Sequence, residues 1–172
     1  MSGTNIKITA IDEKSAHLQE VIDLGRANSS TLGFLPNGAF IKYAADKQLL
    51  VALGHSRQVL GYVIYAISIR KALVYIVHLC VQPSHRRQGV AETLFKKLKD
   101  LTKIQFRGIR VHCRRDYPAD KLWPMLGFIA AMKYLVVVNI KLRSRCGGSI
   151  MDIQRCSQTL RNSGHTRNLE WQ

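Results

Sequence analysis

Long apolar runs are missing from this 172-residue chain. No stretch reaches the ~18 apolar, uncharged residues that a membrane-spanning helix needs. Residues 1–10 hold no apolar segment of the kind a secretory leader carries. The expectation is a cytoplasmic protein with no membrane contact. Compact cysteine pairs are missing too. Cys80 and Cys113 sit in apolar strand patterns and read as buried thiols. Cys146, Cys156 and His165 match no zinc-ligand spacing, so no metal is expected. No glycine cluster follows the first strand and no Gly-Lys-Ser/Thr occurs, which excludes the doubly wound dinucleotide fold and the P-loop. Acidic residues are scarce: 11 Asp and Glu face 26 Lys and Arg, for a formal net charge of +15.

The excess charge is lopsided. Residues 1–60 carry six basic and five acidic side chains, whereas residues 61–172 carry twenty against six. Ten of those bases fall within residues 86–115, beside two acids. A potential of that sign draws anions: a cofactor's phosphates, an acidic substrate or RNA. Stacking aromatics are not interleaved with the bases, which weighs against an RNA-binding platform.

A hydrophobic fraction of 47% supplies a core for one domain. Alternation over 5–11 predicts a first strand. Asp12 is an acceptable N-cap for a helix reaching Gly25 or Ala27. A Gly/Pro loop follows, with Leu32, Phe34 and Leu35 as pocket lining or core plug, and then a short helix over 40–47. Strands are predicted over 49–53, 59–67 and 72–81, the last apolar throughout and hence central. A helix from Gly89 carries Leu94, Phe95, Leu98 and Leu101 on one stripe. Residues 108–113 form a strand reached by a crossover, so it pairs in parallel. A short helix over 119–125, distorted by Pro124 and ended by Gly127, precedes a strand over 128–140. The fold class is α/β (α+β): a mixed, mostly antiparallel sheet with helices on its faces. It is expected to occupy 1–142, with a variable, partly ordered extension over 143–172.

Chemistry concentrates where the central strand ends. The run Val81-Gln-Pro-Ser-His-Arg86-Arg87-Gln88-Gly89-Val90-Ala91 takes the chain from strand to helix. The first N–H groups of a helix lack intrahelical partners and sit at the positive end of its dipole, which makes an anion site. Gly89 permits close approach to the backbone, and Arg86 and Arg87 add positive charge. The turn is suited to a phosphorylated cofactor.

Two motifs carry a family resemblance. Arg86-Arg87-Gln88-Gly89-Val90-Ala91, preceded by Val81-x-Pro83, resembles the Arg/Gln-x-x-Gly-x-Gly/Ala signature of the GNAT (GCN5-related) N-acetyltransferases. Ala119-Asp-Lys-Leu122-Trp123-Pro-Met-Leu-Gly127-Phe128 is similar to that family's Ala-x-x-Leu-Tyr-x-x-x-Gly-Phe element. The likeness covers about residues 5–140 and implies the GNAT fold, with its two central strands splayed into a V. It implies acetyl-CoA as co-substrate, its pantetheine along Leu79, Cys80 and Val81 and its pyrophosphate on the amides of Arg86, Arg87, Gln88, Gly89, Val90 and Ala91. Asp116 stands where relatives often place a cofactor-contacting Asn, and Trp123 where they place the Tyr that protonates the leaving thiolate. Indole cannot deliver that proton at neutral pH, so Tyr117, at the mouth of the same helix, is the substitute.

The implied reaction is direct attack of an amine on the thioester in a ternary complex. The Glu that many relatives use as base is absent from 72–81. Tyr75 and His78 are the polar residues there, on opposite faces by parity. His78 has a suitable pKa for a base acting through water, and the alternative is a core histidine. The acceptor is a small-molecule or macromolecular amine, its pocket walled by residues 31–38 and 114–118. Aminoacyl-tRNA or a protein amine are alternatives within the class, with RNA meeting the basic face. A non-catalytic acyl-CoA-binding module is the alternative outside it. A monomer or homodimer is expected.

Overall fold

A computed structural model describes residues 6–112, 121–132 and 135–139. They belong to one compact unit, Met1–Ile140. The strands are β1 (Lys7–Ala10), β2 (Leu49–Leu53), β3 (Val59–Ser68), β4 (Leu73–Val81), β5 (Gly108–His112), β6 (Phe128–Met132) and β7 (Leu135–Asn139). The helices are α1 (Leu18–Ala27), α2 (Ser29–Leu32), α3 (Asn37–Ala45), α4 (Val90–Thr102) and α5 (Leu122–Met125). One seven-stranded sheet runs β1-β2-β3-β4-β5-β7-β6. Only β4 and β5 pair in parallel, as the α4 crossover between them requires. The mixed, mostly antiparallel sheet expected from the sequence is what the chain forms.

Alternation distributes the core over two faces. Leu50, Ala52, Leu60, Val63, Val74 and Ile76 meet Val90, Leu94, Phe95 and Leu98 of α4 on one side. Leu49, Val51, Tyr62, Ile64 and Cys80 meet Val21, Ile22 and Leu24 of α1 and Phe40 and Ala44 of α3 on the other. Strand β2, covered on both sides, is buried along its whole length.

Four local expectations change. Asp12 does not cap α1; its Oδ1 accepts from the Lys14 N–H at 3.1 Å, a local turn that competes with helix. The helix starts six residues later, at Leu18. The 28–38 loop contains a short helix, α2, with Leu32 and Leu35 against the α1/α3 core and Phe34 78% exposed. The single strand expected over 128–140 is a hairpin, β6 and β7, because turning back lets β7 take the free edge of β5 while Phe128 stays packed on Phe95 and Trp123.

The fourth change matters most. Ile64 of β3 pairs with His78 but Tyr65 pairs with Ile76, so Val77 is an unpaired extra residue. This bulge resets the alternation of β4. Ile76 faces the α4 core, Val77 packs on the α1/α3 core, and Leu79 and Val81 face α4 again. Tyr75, flanked by Val74 and Ile76 of the α4 core, therefore shares the α1/α3 face with His78. Parity without the bulge had set them on opposite faces.

Gly25 on α1 allows the close approach of α3 to the sheet: a Cβ there would lie 2.7 Å from both Phe40 Cζ and Tyr62 Oη. Gly25→Val should cost about 2 kcal/mol, the scale of core overpacking. Gly38→Ala, where a Cβ meets nothing within 4 Å, should be neutral or slightly stabilising. Urea denaturation of both variants checks the difference, and equal losses would contradict this packing.

Candidate active site

The β4–β5 ladder runs from Leu73–Gly108 to Ile76–Val111 and stops. β4 continues to Val81 with no β5 partner among the described residues. Gln82 N–H donates to Leu60 O at 2.9 Å. Hydrogen-bonded pairs alternate in an antiparallel ladder. Tyr62–Cys80 is therefore a bonded pair, and Leu79 and Val81 turn their N–H and C=O groups to the open edge. Among the three residues expected to face pantetheine, Leu79 and Val81 offer backbone to it. Cys80 is committed to β3, and its buried thiol is pushed up to about 11 by burial, with Arg86 acting in the opposite direction.

A 3-10 turn, Pro83–His85, leads from β4 toward α4. Arg87 (φ 61) and Gly89 (φ 78) both take left-handed backbone, which costs Arg87 and suits glycine. The first α4 bond is Thr93 N–H to Gly89 O at 2.9 Å. It leaves the N–H groups of Val90, Ala91 and Glu92 projecting from the helix start, with Gln88 in the turn before them. Gln88 Nε2 braces that turn through Ser84 O at 3.0 Å.

The two arginines differ. Arg86 donates from Nε to Val81 O at 3.2 Å and from Nη2 to Asn28 Oδ1 at 2.8 Å, and Asn28 Nδ2 donates to Leu24 O at 2.8 Å. It latches the C-terminus of α1 to the end of β4. Arg87 makes no side-chain bond among the described residues and is exposed.

His78 is 6% exposed. Its Nδ1 lies 3.0 Å from the Tyr62 hydroxyl, and Phe40 packs edge-on with centroids 6.1 Å apart. Burial, then Cys80, holds the Tyr62 hydroxyl far above its ordinary pKa, so it stays protonated beside the ring. The backbone of Gly33 and Leu32 acts to favour the charged ring. Burial nevertheless lowers the pKa of His78, and the pair is neutral.

The sequence reading passed over two residues beside these. Ile109 and Val111 belong to the α4 core, so Arg110 and His112 lie on the opposite face of β5, the face that carries Tyr75 and His78. The Arg110 guanidinium stacks on the Tyr75 ring, 5.9 Å from its centroid. His112 is exposed, with its pKa lowered by burial and then by Arg110. The alternation Ile-Arg-Val-His was the available signal. It also divides the 86–115 bases: Arg110 opposes the α4 lysines across the sheet, so they do not form one patch.

Trp123 of α5 is buried in the α4 core, edge-on to Phe128 at 5.1 Å, and its Nε1 has no partner among the described residues. Tyr117 and Asp116 lie outside the described residues, as do Arg114 and Arg115. Among the described residues no cluster of metal-ligating side chains occurs.

The His78 site sets a pH dependence. Its folded pKa is below the unfolded value, so the unfolded chain binds the extra proton first. Its contribution is complete above about pH 6.5 and declines as pH falls toward the folded pKa. Between pH 7.5 and 5 the wild type should lose stability with a slope reaching at most about 1.4 kcal/mol per pH unit from this group. His78→Asn should start less stable and show a flatter profile by thermal melting, and an unchanged slope would contradict the neutral buried pair.

Residues 30–142 match the family model of the acetyltransferase (GNAT) domain. Solved structures share the fold at low identity. N-acetylglutamate synthase from Neisseria gonorrhoeae, complexed with coenzyme A and N-acetyl-glutamate, is 12% identical with a TM-score of 0.68, over 80% of this chain and 35% of that one. The chain thus spans about a third of that synthase's length. PaiA N-acetyltransferase from Thermoplasma acidophilum, in complex with coenzyme A, is 13% identical with a TM-score of 0.67, over 78% of this chain and 99% of that one. Arabidopsis thaliana NAA60, in complex with a bisubstrate analogue, is 18% identical with a TM-score of 0.64, over 78% and 98%. At these identities the likeness is one of fold. No curated protein sequence matches the chain. A parallel ladder that opens beside a helix N-terminus, the Arg86–Ala91 signature on that turn, and a domain match over 30–142 lead to one assignment: the chain belongs to the GNAT family of acetyltransferases, whose chemistry is acyl transfer from acetyl-CoA.

Proposed function

We propose that this chain is an N-acetyltransferase that moves the acetyl group of acetyl-CoA directly to a primary amine. The observation that carries the reading is the free edge of β4 running into the exposed amides of α4. Pantetheine takes the edge groups of Leu79 and Val81 as an added strand would. The pyrophosphate takes the amides from Gln88 to Ala91, with Arg87 as the unengaged charge beside them. The Trp123 indole N–H, buried and unpartnered among the described residues, is a donor that fits the thioester end of such a ligand. The amine approaches from the α1/α3 face, where Tyr75, His78, Arg110 and His112 gather.

The attacking nitrogen loses a proton as the C–N bond forms and the C–S bond breaks. His112 is the acceptor this geometry favours: it is accessible, its pKa is lowered by burial and then by Arg110, and it stands at the end of β5 where the ladder stops among the described residues. His78, the base expected from the sequence, is buried with Nδ1 held by Tyr62, and in this reading it acts by tying β4 to β3. The departing thiolate is released to water or takes a proton from Tyr117. The separation of the basic residues between two faces favours a small amine over RNA-borne acceptors.

Two variant sets test this. Gly89→Asp places a carboxylate at the anion turn and should weaken acetyl-CoA by about 10²-fold or more, since a like charge replaces an open amide cradle. Arg87→Gln should weaken it about 10-fold, the worth of one charge-assisted contact. Arg86→Gln should chiefly lower the melting temperature by releasing Asn28. Calorimetric titration showing Gly89→Asp unaffected would place the phosphates elsewhere.

The second set separates the histidines. His112→Ala should lower turnover by about 10²-fold, the usual scale for a lost general base, with acetyl-CoA affinity kept. His78→Ala should lower the melting temperature with a smaller loss of turnover per folded molecule. The reverse pattern would return the base to His78.

A further inference from the structure

The Arg110 guanidinium is half-buried on the acceptor face, stacked on Tyr75, and its Nε is shielded from solvent with no hydrogen-bond partner among the described residues. Arginine carries a fixed positive charge, and its shielded Nε donor lacks a partner until an acceptor arrives. Among the described residues β4, β5, α2, α5, β6 and β7 offer no carboxylate, having no Asp or Glu; Asp116 and Asp120, which follow β5 in sequence, lie outside them. The acids of α4, Glu92 and Asp100, belong to the helix on the other side of the sheet. The cation–π contact with Tyr75 leaves Nε without a partner among the described residues, and a guanidinium so placed can fork a carboxylate.

Position completes the case. Arg110 registers with Tyr75 at the penultimate pair of the β4–β5 ladder, and His112 follows on the same face just past its end. Same-face neighbours on a strand are about 6.8 Å apart. A carboxylate held by Arg110 therefore leaves an amine a few bonds away beside His112 and the free edge of β4. Ile129, on the arm beyond β5, is 62% exposed, and α1, α2 and α3 pack over β2, β3 and β4.

We infer that Arg110 selects the acceptor by its carboxylate, so that the amine acetylated belongs to a small amino acid and not to a neutral amine or a polyamine. The inference rests on the acetyl-transfer reading above and adds the substrate class. Salt pairing of a guanidinium with one carboxylate, within reach of the attacked carbonyl, discriminates strongly because the uncharged analogue leaves the arginine unpaired.

The experiment compares β-alanine with β-alaninamide, which share the amine and differ in the carboxylate, using thiol release from acetyl-CoA by the full chain. Glycine and γ-aminobutyrate vary the spacing, and a short peptide with an acidic side chain tests a macromolecular source of the carboxylate. The wild type should prefer at least one free amino acid over its amide by about 10-fold or more in kcat/KM, the worth of one charge-assisted pair. Arg110→Gln should collapse that preference through KM for the amino acid, Arg110→Lys should keep part of it, and acetyl-CoA affinity should stay within about twofold by calorimetry, because Arg110 lies apart from the phosphate turn. Equal or better use of the amides, a preference surviving in Arg110→Gln, or turnover of the peptide alone would overturn the inference. If no amine is turned over, calorimetric binding of the amino acids to the coenzyme A complex decides it: binding lost in Arg110→Gln supports it, and no binding by the wild type overturns it. Failure of acetyl-CoA itself to bind would instead sink the acetyl-transfer reading.

Discussion

Four residue pairs join β4 to β5, after which the parallel ladder ends with five residues of β4 still to run. Backbone N–H and C=O groups in the middle of a sheet are ordinarily satisfied by the next strand, and leaving them without a partner is costly. Here Val81 O is met by Arg86, and the remaining edge groups of Leu79 and Val81 have no strand partner among the described residues, just before the start of α4. That edge dictates the rest of the site. A ligand that offers amide-like groups in line, followed by a polyanion, completes both the strand edge and the helix terminus.

Holding that edge in place requires support from behind. The bulge at Val77 turns Val77 and His78 to the same side, and His78 then joins β4 to Tyr62 of β3. Both groups are neutral, which avoids the larger desolvation cost of a buried ion pair. A second tie, Arg86 to Asn28, anchors the end of α1 to the same strand. His78 and Arg86 thus carry side chains whose chemistry suggests catalysis but whose bonding is structural.

Charge is divided by the sheet. Lysines 96, 97, 99 and 103 follow α4 on one side, continuous with the anion turn. Arg110 and His112 stand on the other. Both sides carry positive charge, and the +15 total does not reveal that division.

From residue order alone, the strand–turn–helix at 72–101, the parallel crossover and the anion turn were legible, because each depends on local periodicity, on a glycine at positive φ and on chain connectivity. What residue order could not settle were matters of register. The Val77 bulge arises from pairing with β3, across a separation that no local pattern reports, and it moved His78 to the face of Tyr75. Asn28 and Arg86 meet from 58 positions apart. Arg110 and His112 looked like ordinary strand residues until the ladder's end showed which face they share. Sequence determined the strand, the turn at Arg86–Ala91 and the helix after it through local backbone chemistry. Tertiary pairing alone decided which side chains meet at the cleft, because a one-residue shift in a strand exchanges its two faces.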